Sequence, residues 1–265
     1  MKKATKIWLI TAALLVLAGG ILFAGIMAAE NWDFGKLSTV RYVTNTYPVS
    51  EPFRNLSFET DTVDIVLVPS DDGTCRVECR EEENARHTVA VENDTLTVQV
   101  QNNKTWRDYI GVHFGTPKIT VYLPEREYAM LTVHENTGNV EIPKDFAFTG
   151  ADISVTTGNV RFFADVQDAK IKTSTGDIQV EDLSTGSLDL SVTTGKIMVS
   201  GVTCQGDVAL SVSTGKTALT DITCRNLRSN GTTGTISLER VLADGAISVE
   251  RSTGDVRFNG CDAAE

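Results

Sequence analysis

In the second half of the chain a Thr-Gly dipeptide followed by a strand-like segment recurs seven times, and this repeat constrains the fold more than any other feature. The glycines are Gly138, Gly158, Gly176, Gly195, Gly215, Gly234 and Gly254, so the spacings are 20, 18, 19, 20, 19 and 20 residues. Two positions after them stand Val140, Val160, Ile178, Ile197, Thr217, Ile236 and Val256, so a turn and a strand start recur in phase. A period of this length marks stacked units, because one unit has no partner for its own apolar face.

Counting from each Gly, apolar residues return at +2, +4 and +7 and, less regularly, at −7, −5 and −3. In the coil of Gly195 these are Ile197, Val199 and Val202 on one side, and Val208, Leu210 and Val212 leading to the next Gly. That pattern is two short strands of period two joined by two turns. Gly supplies the positive φ of a tight corner and β-branched Thr suits the strand end before it. The expected fold is therefore all-β, a parallel β-solenoid of about seven coils, layered at about 4.8 Å and on the order of 35 Å long. Antiparallel hairpins in a sandwich are the competing arrangement, one that usually shows less regular spacing.

Ile7 to Ala29 carries no charge and is flanked by Lys2, Lys3 and Lys6 before it and by Glu30 and Asp33 after it. Its length spans a bilayer core, and the lysines place the N-terminus in the cytoplasm and the rest of the chain outside. Residues 1–29 are thus expected to be a Lys-rich tip and an uncleaved single-pass anchor. The alternative is a cleaved signal peptide, against which stand the length of the apolar core and the lack of an A-x-A site near Ala28 and Ala29. Trp8 and Trp32 fall where interfacial tryptophans would sit.

Residues 30–52, with Pro48 and Pro52, are expected to be a linker. Residues 53–135 then read as a less regular β region that caps the first coil of a solenoid running over 136–265. Strand alternation occurs in Leu56–Glu59, Val63–Val68, Cys75–Cys79, Thr88–Val91, Leu96–Val100, Ile119–Leu123 and Met130–Val133, with turn signals at Ser70-Asp71-Asp72-Gly73 and Glu92-Asn93-Asp94. Between them Asn102–Pro117 carries Trp106, Tyr109, His113 and Phe114 among polar residues and glycines. This aromatic set is either a ligand-contact loop for a sugar or peptide, or part of the packing of the cap.

A formal charge of −11 over 265 residues argues against a basic phosphate-binding surface, so no nucleic acid partner is expected. The five cysteines are an odd number, which leaves at least one thiol free. Cys204 and Cys224 each lie nine residues after a Gly, so they stack one coil apart at a spacing a disulfide can span. The alternative is that both are buried free thiols. Cys75 and Cys79 share a strand face but sit roughly 13 Å apart, too far to bridge. Cys261, at +7, reads as a core residue.

Motifs of chemistry are sparse. His87, His113 and His134 are scattered, with no metal-site spacing, and no phosphate loop, dinucleotide fingerprint, nucleophile elbow or nonapeptide calcium repeat occurs. No catalytic, cofactor-binding or metal residues are therefore expected. The best carboxylate pair in the outward columns is Asp152 and Asp189, two coils apart at roughly 9 to 10 Å. Lys170 lies between them, and a surface charge ladder describes the trio better than an acid–base pair.

The Thr-Gly-(Asn/Asp)-(Val/Ile) repeats, the strand Ile119-Thr-Val-Tyr-Leu-Pro124 and the Lys-rich anchor together resemble the bacterial putative-adhesin family of domains of unknown function, in its Firmicutes-type membrane-anchored form. The resemblance covers roughly residues 40 to 265. It implies a cell-surface β-solenoid and, since the family includes proteins encoded beside envelope-stress regulators, an accessory role as a second possibility. It implies no catalytic residues. Lys196, Lys216 and Thr235 depart from the usual acidic or amide residue after Gly, which argues against a ligand-binding ladder there. The final coil ends at Glu265 before its second strand is complete, so an exposed edge is expected, through truncation or for self-association.

Taken together, the residues point to a non-enzymatic binding or scaffolding module of the cell envelope. Cell-wall polysaccharide or a membrane protein is the expected partner. A carbohydrate-active enzyme is the weakest alternative.

Overall fold

The structure, a computed structural model, describes residues 3–33, 40–102 and 115–264. The chain forms two units, Met1–Arg41 with Lys104–Gly115, and Tyr42–Asn103 with Thr116–Glu265.

In the first unit, helix α1 (Lys3–Ala29) contains no proline and, after Lys6, no charge. At about 1.5 Å per residue its 27 residues reach about 40 Å, more than the hydrocarbon core of a bilayer. Apart from the buried Met27, its large apolar side chains are exposed, among them Leu15, Val16 and Ile21, and it is long and apolar enough to cross a membrane. The helix stops in a left-handed turn: Asn31 and Trp32 have φ of 53° and 60°, and Trp32 N donates to Met27 O at 2.7 Å. This six-to-one bond satisfies a terminal carbonyl in the manner of a Schellman motif.

The second unit is a β-solenoid. Its strands are β1 (Tyr42–Val49), β2 (Asn55–Thr62), β3 (Asp64–Pro69), β4 (Cys75–Glu82), β5 (Ala85–Glu92), β6 (Thr95–Asn102), β7 (Lys118–Leu123), β8 (Glu127–Thr137) and β9 (Val140–Ile142). The array continues through β10 (Ala147–Thr157), β11 (Val160–Phe162), β12 (Asp165–Thr175), β13 (Ile178–Glu181), β14 (Ser184–Cys204), β15 (Asp207–Cys224), β16 (Asn226–Ala243), β17 (Ile247–Thr253), β18 (Val256–Asn259) and β19 (Asp262–Ala263). Each coil contributes one strand to each of two parallel faces. The long strands β14, β15 and β16 run through the corner and serve both.

Pairing of coils keeps the Thr-Gly register: Gly195 aligns with Gly215, and Gly215 with Gly234. The expected columns are the core. Val140, Val160, Ile178, Ile197 and Ile236 at +2, Phe162, Val180, Val199, Leu219 and Leu238 at +4, and Val133, Ile153, Ile171, Leu190 and Leu210 at −5 are all buried. Each such side chain contributes roughly 1.5–3 kcal/mol by leaving water. A second corner follows six residues after the Gly. There Asp182, Gly201, Asp221, Arg240 and Gly260 adopt φ between 50° and 64°, the left-handed conformation that Gly and Asp tolerate best.

The head of the solenoid differs from the simple cap that residues 53–135 suggest. That region supplies two further coils, β2–β3 and β6–β7, and they stack out of chain order. Leu56 pairs with both Leu96 and Leu131, and Ile65 with both Ile119 and Val140, so the earlier coil is sandwiched between β6–β7 and β8–β9. Antiparallel strands then cover the head. β4 pairs with β7, β5 with β6, and β1 with β4. β1 occupies part of the stretch expected to be linker, and it accommodates Pro48 because, among the described residues, it is paired on one edge alone. Both turn signals hold. Asp72 Oδ1 accepts from Ser70 Oγ, Thr74 N and Thr74 Oγ1 at 2.7, 2.9 and 2.7 Å, while Asn93 and Asp94 take φ of 49° and 62° between β5 and β6.

At the other end β17 and β18 pair with β16, and their outer edges are unpaired among the described residues. Val256 and Phe258, which occupy core columns, are 39% and 54% exposed there.

Candidate functional site

Stacking creates two kinds of polar arrangement, outward columns and a few buried centres. The +1 column after the glycines is a chain of side-chain-to-backbone bonds. Asp64 Oδ1 accepts from Asn139 N at 2.8 Å, Asn139 Oδ1 from Asn159 N at 3.0 Å, Asn159 Oδ1 from Asp177 N at 2.9 Å, and Asp177 Oδ1 from Lys196 N at 2.9 Å. These oxygens hold coils together, which explains the Asn or Asp after Gly without any ligand.

Asp152, Lys170 and Asp189 stand in register on the outer surface in the order expected from the sequence. They line an open groove of about 560 Å³ together with Met130, Gly150 and Ser187. Carboxylates alternating with an ammonium make a charge ladder suited to binding polar ligands or simply to solvation. A smaller cavity of about 290 Å³ lies at the head of the Asn column, between Asp64, Lys118, Glu141 and Arg161. The expected aromatic site, Trp106, Tyr109, His113 and Phe114, lies outside the described residues.

Cys204 and Cys224 are buried on neighbouring coils as the repeat requires, and no bond joins them in the structure. Cys204 Sγ lies against carbonyl oxygens, Gly186 O at 3.5 Å and Asp207 O at 3.7 Å, so the thiol has backbone acceptors. Cys261 is partly buried and packs against the core.

Two buried carboxylates were not legible in the sequence. Glu135, 3% exposed, occupies the −3 core column, where the following coils carry Val155 and Thr173. Its Oε1 accepts from Thr137 N at 3.1 Å and Val63 N at 3.3 Å, and its Oε2 pairs with the Thr60 hydroxyl. Burial pushes its pKa up to about 8, the backbone donors oppose that rise, and the nearby Asp61 and Asp64 add to it.

Glu81 is completely buried at the head of the solenoid. It follows Cys75, Val77 and Cys79 on the inward face of β4, where the two-residue period puts a carboxylate in line with apolar side chains. Its Oε1 accepts from Asn45 Nδ2 at 2.6 Å, and its Oε2 meets both His87 N at 2.5 Å and His87 Nδ1 at 2.7 Å. Tyr47 donates to His87 O at 3.2 Å. The ligand-capable atoms of Cys79, Glu81 and His87 lie within 4.8 Å of one another. Burial, and secondarily the Glu81 charge, push the Cys79 thiol up to about 12. The sequence hid this group because no two members are at a recognised ligand spacing; the available signal was Cys79-x-Glu81 on one strand face, with His87 returning across the hairpin.

Stacked parallel coils with a glycine corner and an antiparallel cover at the head define a capped β-solenoid. The chain belongs to the Toastrack DUF4097 family, whose model matches residues 53–212. Among solved structures it is similar to a putative adhesin from Bacteroides fragilis NCTC 9343, with 19% identity, coverage of 83% of this chain and 97% of that one, and a TM-score of 0.55. A putative adhesin from Parabacteroides merdae ATCC 43184 aligns at 17% identity, with 83% and 97% coverage and a TM-score of 0.40. A protein described as a putative lipid binding protein from Parabacteroides distasonis ATCC 8503 aligns at 12% identity, with 83% and 95% coverage and a TM-score of 0.28. At 19% identity the likeness to the Bacteroides fragilis protein is one of fold. No curated protein matches the chain.

Proposed function

We propose that the protein is a membrane-anchored, cell-surface β-solenoid that acts as a non-enzymatic binding or scaffolding module of the bacterial envelope. The observation that carries this reading is one chain combining a helix long and apolar enough to cross a membrane with a stacked repeat body. Lys2, Lys3 and Lys6 hold the N-terminus in the cytoplasm, and the solenoid faces outward. The in-register columns, including Asp152, Lys170 and Asp189, present a regular surface to a cell-wall polysaccharide. Similarity to proteins described as putative adhesins supports the same reading without identifying a ligand.

The test is crosslinking on intact cells, followed by purification of the full-length chain and of a version carrying an unrelated anchor. Glycan retained with both versions is the expected result. A membrane protein captured with the native anchor alone would overturn the binding-module reading and make the protein an accessory of that partner.

A further inference from the structure

We propose that Cys79, Glu81 and His87 form a binding site for one divalent cation of zinc-like character, which staples the head of the solenoid shut. The three side chains come from two strands in different faces. Cys79 and Glu81 lie on β4, which pairs with β7, and His87 lies on β5, which pairs with β6. Asn45, from β1, holds the second carboxylate oxygen. A cation here ties together the strands that cover the first coil.

Charge balance selects the ion. Glu81 and Cys79 are completely buried and His87 is 7% exposed, so a carboxylate and a thiolate would both sit out of water. Isolated buried charges are costly and are found paired or on metals. One dication, one carboxylate, one thiolate and a neutral imidazole sum to zero: the thiol proton leaves to solvent as the metal–sulfur bond forms, and the imidazole binds through Nδ1 as the tautomer that keeps its proton on Nε2. Sulfur, nitrogen and oxygen in one set suit a borderline-soft tetrahedral ion, and exclude calcium and magnesium, which take oxygen shells.

Geometry allows it with small movement. Two ligands about 2.0 Å from a tetrahedral centre are about 3.3 Å apart. The Nδ1 to Oε2 contact of 2.7 Å therefore opens by about 0.6 Å. Donors from Asn45 Nδ2 and His87 N remain on the carboxylate and orient it, as outer-shell partners do in metal sites. A fourth position is left for water. The ion enters and leaves beside His87, the 7% exposed ligand, through local opening of the β4–β5 hairpin.

The full-length protein in detergent, stripped with a chelator under reducing conditions, is titrated with Co²⁺ and then with Zn²⁺. A thiolate-to-cobalt charge-transfer band that saturates at one equivalent, is displaced by Zn²⁺, and accompanies a rise in melting temperature is the expected result. Cys79→Ser abolishes the band, His87→Gln weakens Co²⁺ binding by at least about tenfold, and Cys204→Ser, which alters a buried thiol elsewhere, leaves the band intact. The wild-type titration decides the matter even where a variant fails to fold. No charge-transfer band in the wild type, or a band that persists in Cys79→Ser, overturns the site.

Discussion

Asn159 receives the backbone N–H of Asp177 on its Oδ1 at 2.9 Å, while its own backbone N–H rests on Asn139 Oδ1 at 3.0 Å. One residue type therefore acts as donor to the coil before it and acceptor for the coil after it. The link passes from Asp64 to Lys196. Lysine offers no side-chain acceptor to continue it. Replacing Asn159 with Ala should lower stability by about 1 kcal/mol, because water can still reach the exposed amide it abandons. Chemical denaturation of the full-length protein checks this, and an unchanged midpoint would show the bond to be dispensable.

The glycine corner carries a stronger constraint. Gly215 has a φ of 145°, and a Cβ added to it would run into the carbonyl oxygen of Gly195 in the coil before. Gly73 also has a positive φ, 70°, but open space around it. Gly215→Ala should cost on the order of 3 kcal/mol or more and Gly73→Ala about 1–2 kcal/mol. Equal losses in the two variants would mean that backbone conformation, and not the approach of the coils, is what Gly provides.

Glu135 makes stability depend on pH. Its folded pKa of about 8 lies above the ordinary value of 4.5, so the native state binds this proton more tightly than the unfolded chain. The resulting stability is fully present below about pH 4.5 and is lost as pH rises through about 8. Glu135→Gln should flatten the fall in unfolding free energy between about pH 5 and pH 8, a difference on the order of a few kcal/mol. Matched denaturation curves at the two pH values measure it, and parallel behaviour of wild type and variant would count against a buried proton.

Thr217 sits in the +2 core column between Ile197 and Ile236, completely buried, with a hydroxyl that has no partner among the described residues. An orphaned buried hydroxyl costs roughly 1–3 kcal/mol. Thr217→Val keeps the shape and should raise the unfolding free energy by about 1 kcal/mol. A loss of stability would indicate that the hydroxyl bonds a water inside the coil.

Periodicity made the coils legible: residues at +2, +4 and −5 from each Gly had only one face on which to be buried, and the strands of the head alternated in the same way. What periodicity does not carry is order in space. The strands β2–β3 and β6–β7 read as successive pieces of a cap, yet they stack with the earlier one inside the later, because pairing depends on which edges are free when the chain returns. The second corner was also hidden. Asp182, Gly201, Asp221, Arg240 and Gly260 share a backbone conformation but not a residue type.

The sequence by itself determined the repeat, its register, the apolar columns and the apolar helix, since all of these are local patterns read along the chain. Tertiary structure alone decided that the glycines face one another and that the Asn and Asp side chains bind the next coil. It also decided that Glu135 is enclosed and that Cys79, Glu81 and His87 meet. The physical reason is that burial and contact between distant residues arise from stacking. A carboxylate in a core column has the same letter as one on the surface, and only the neighbours supplied by other strands set its charge and its partners.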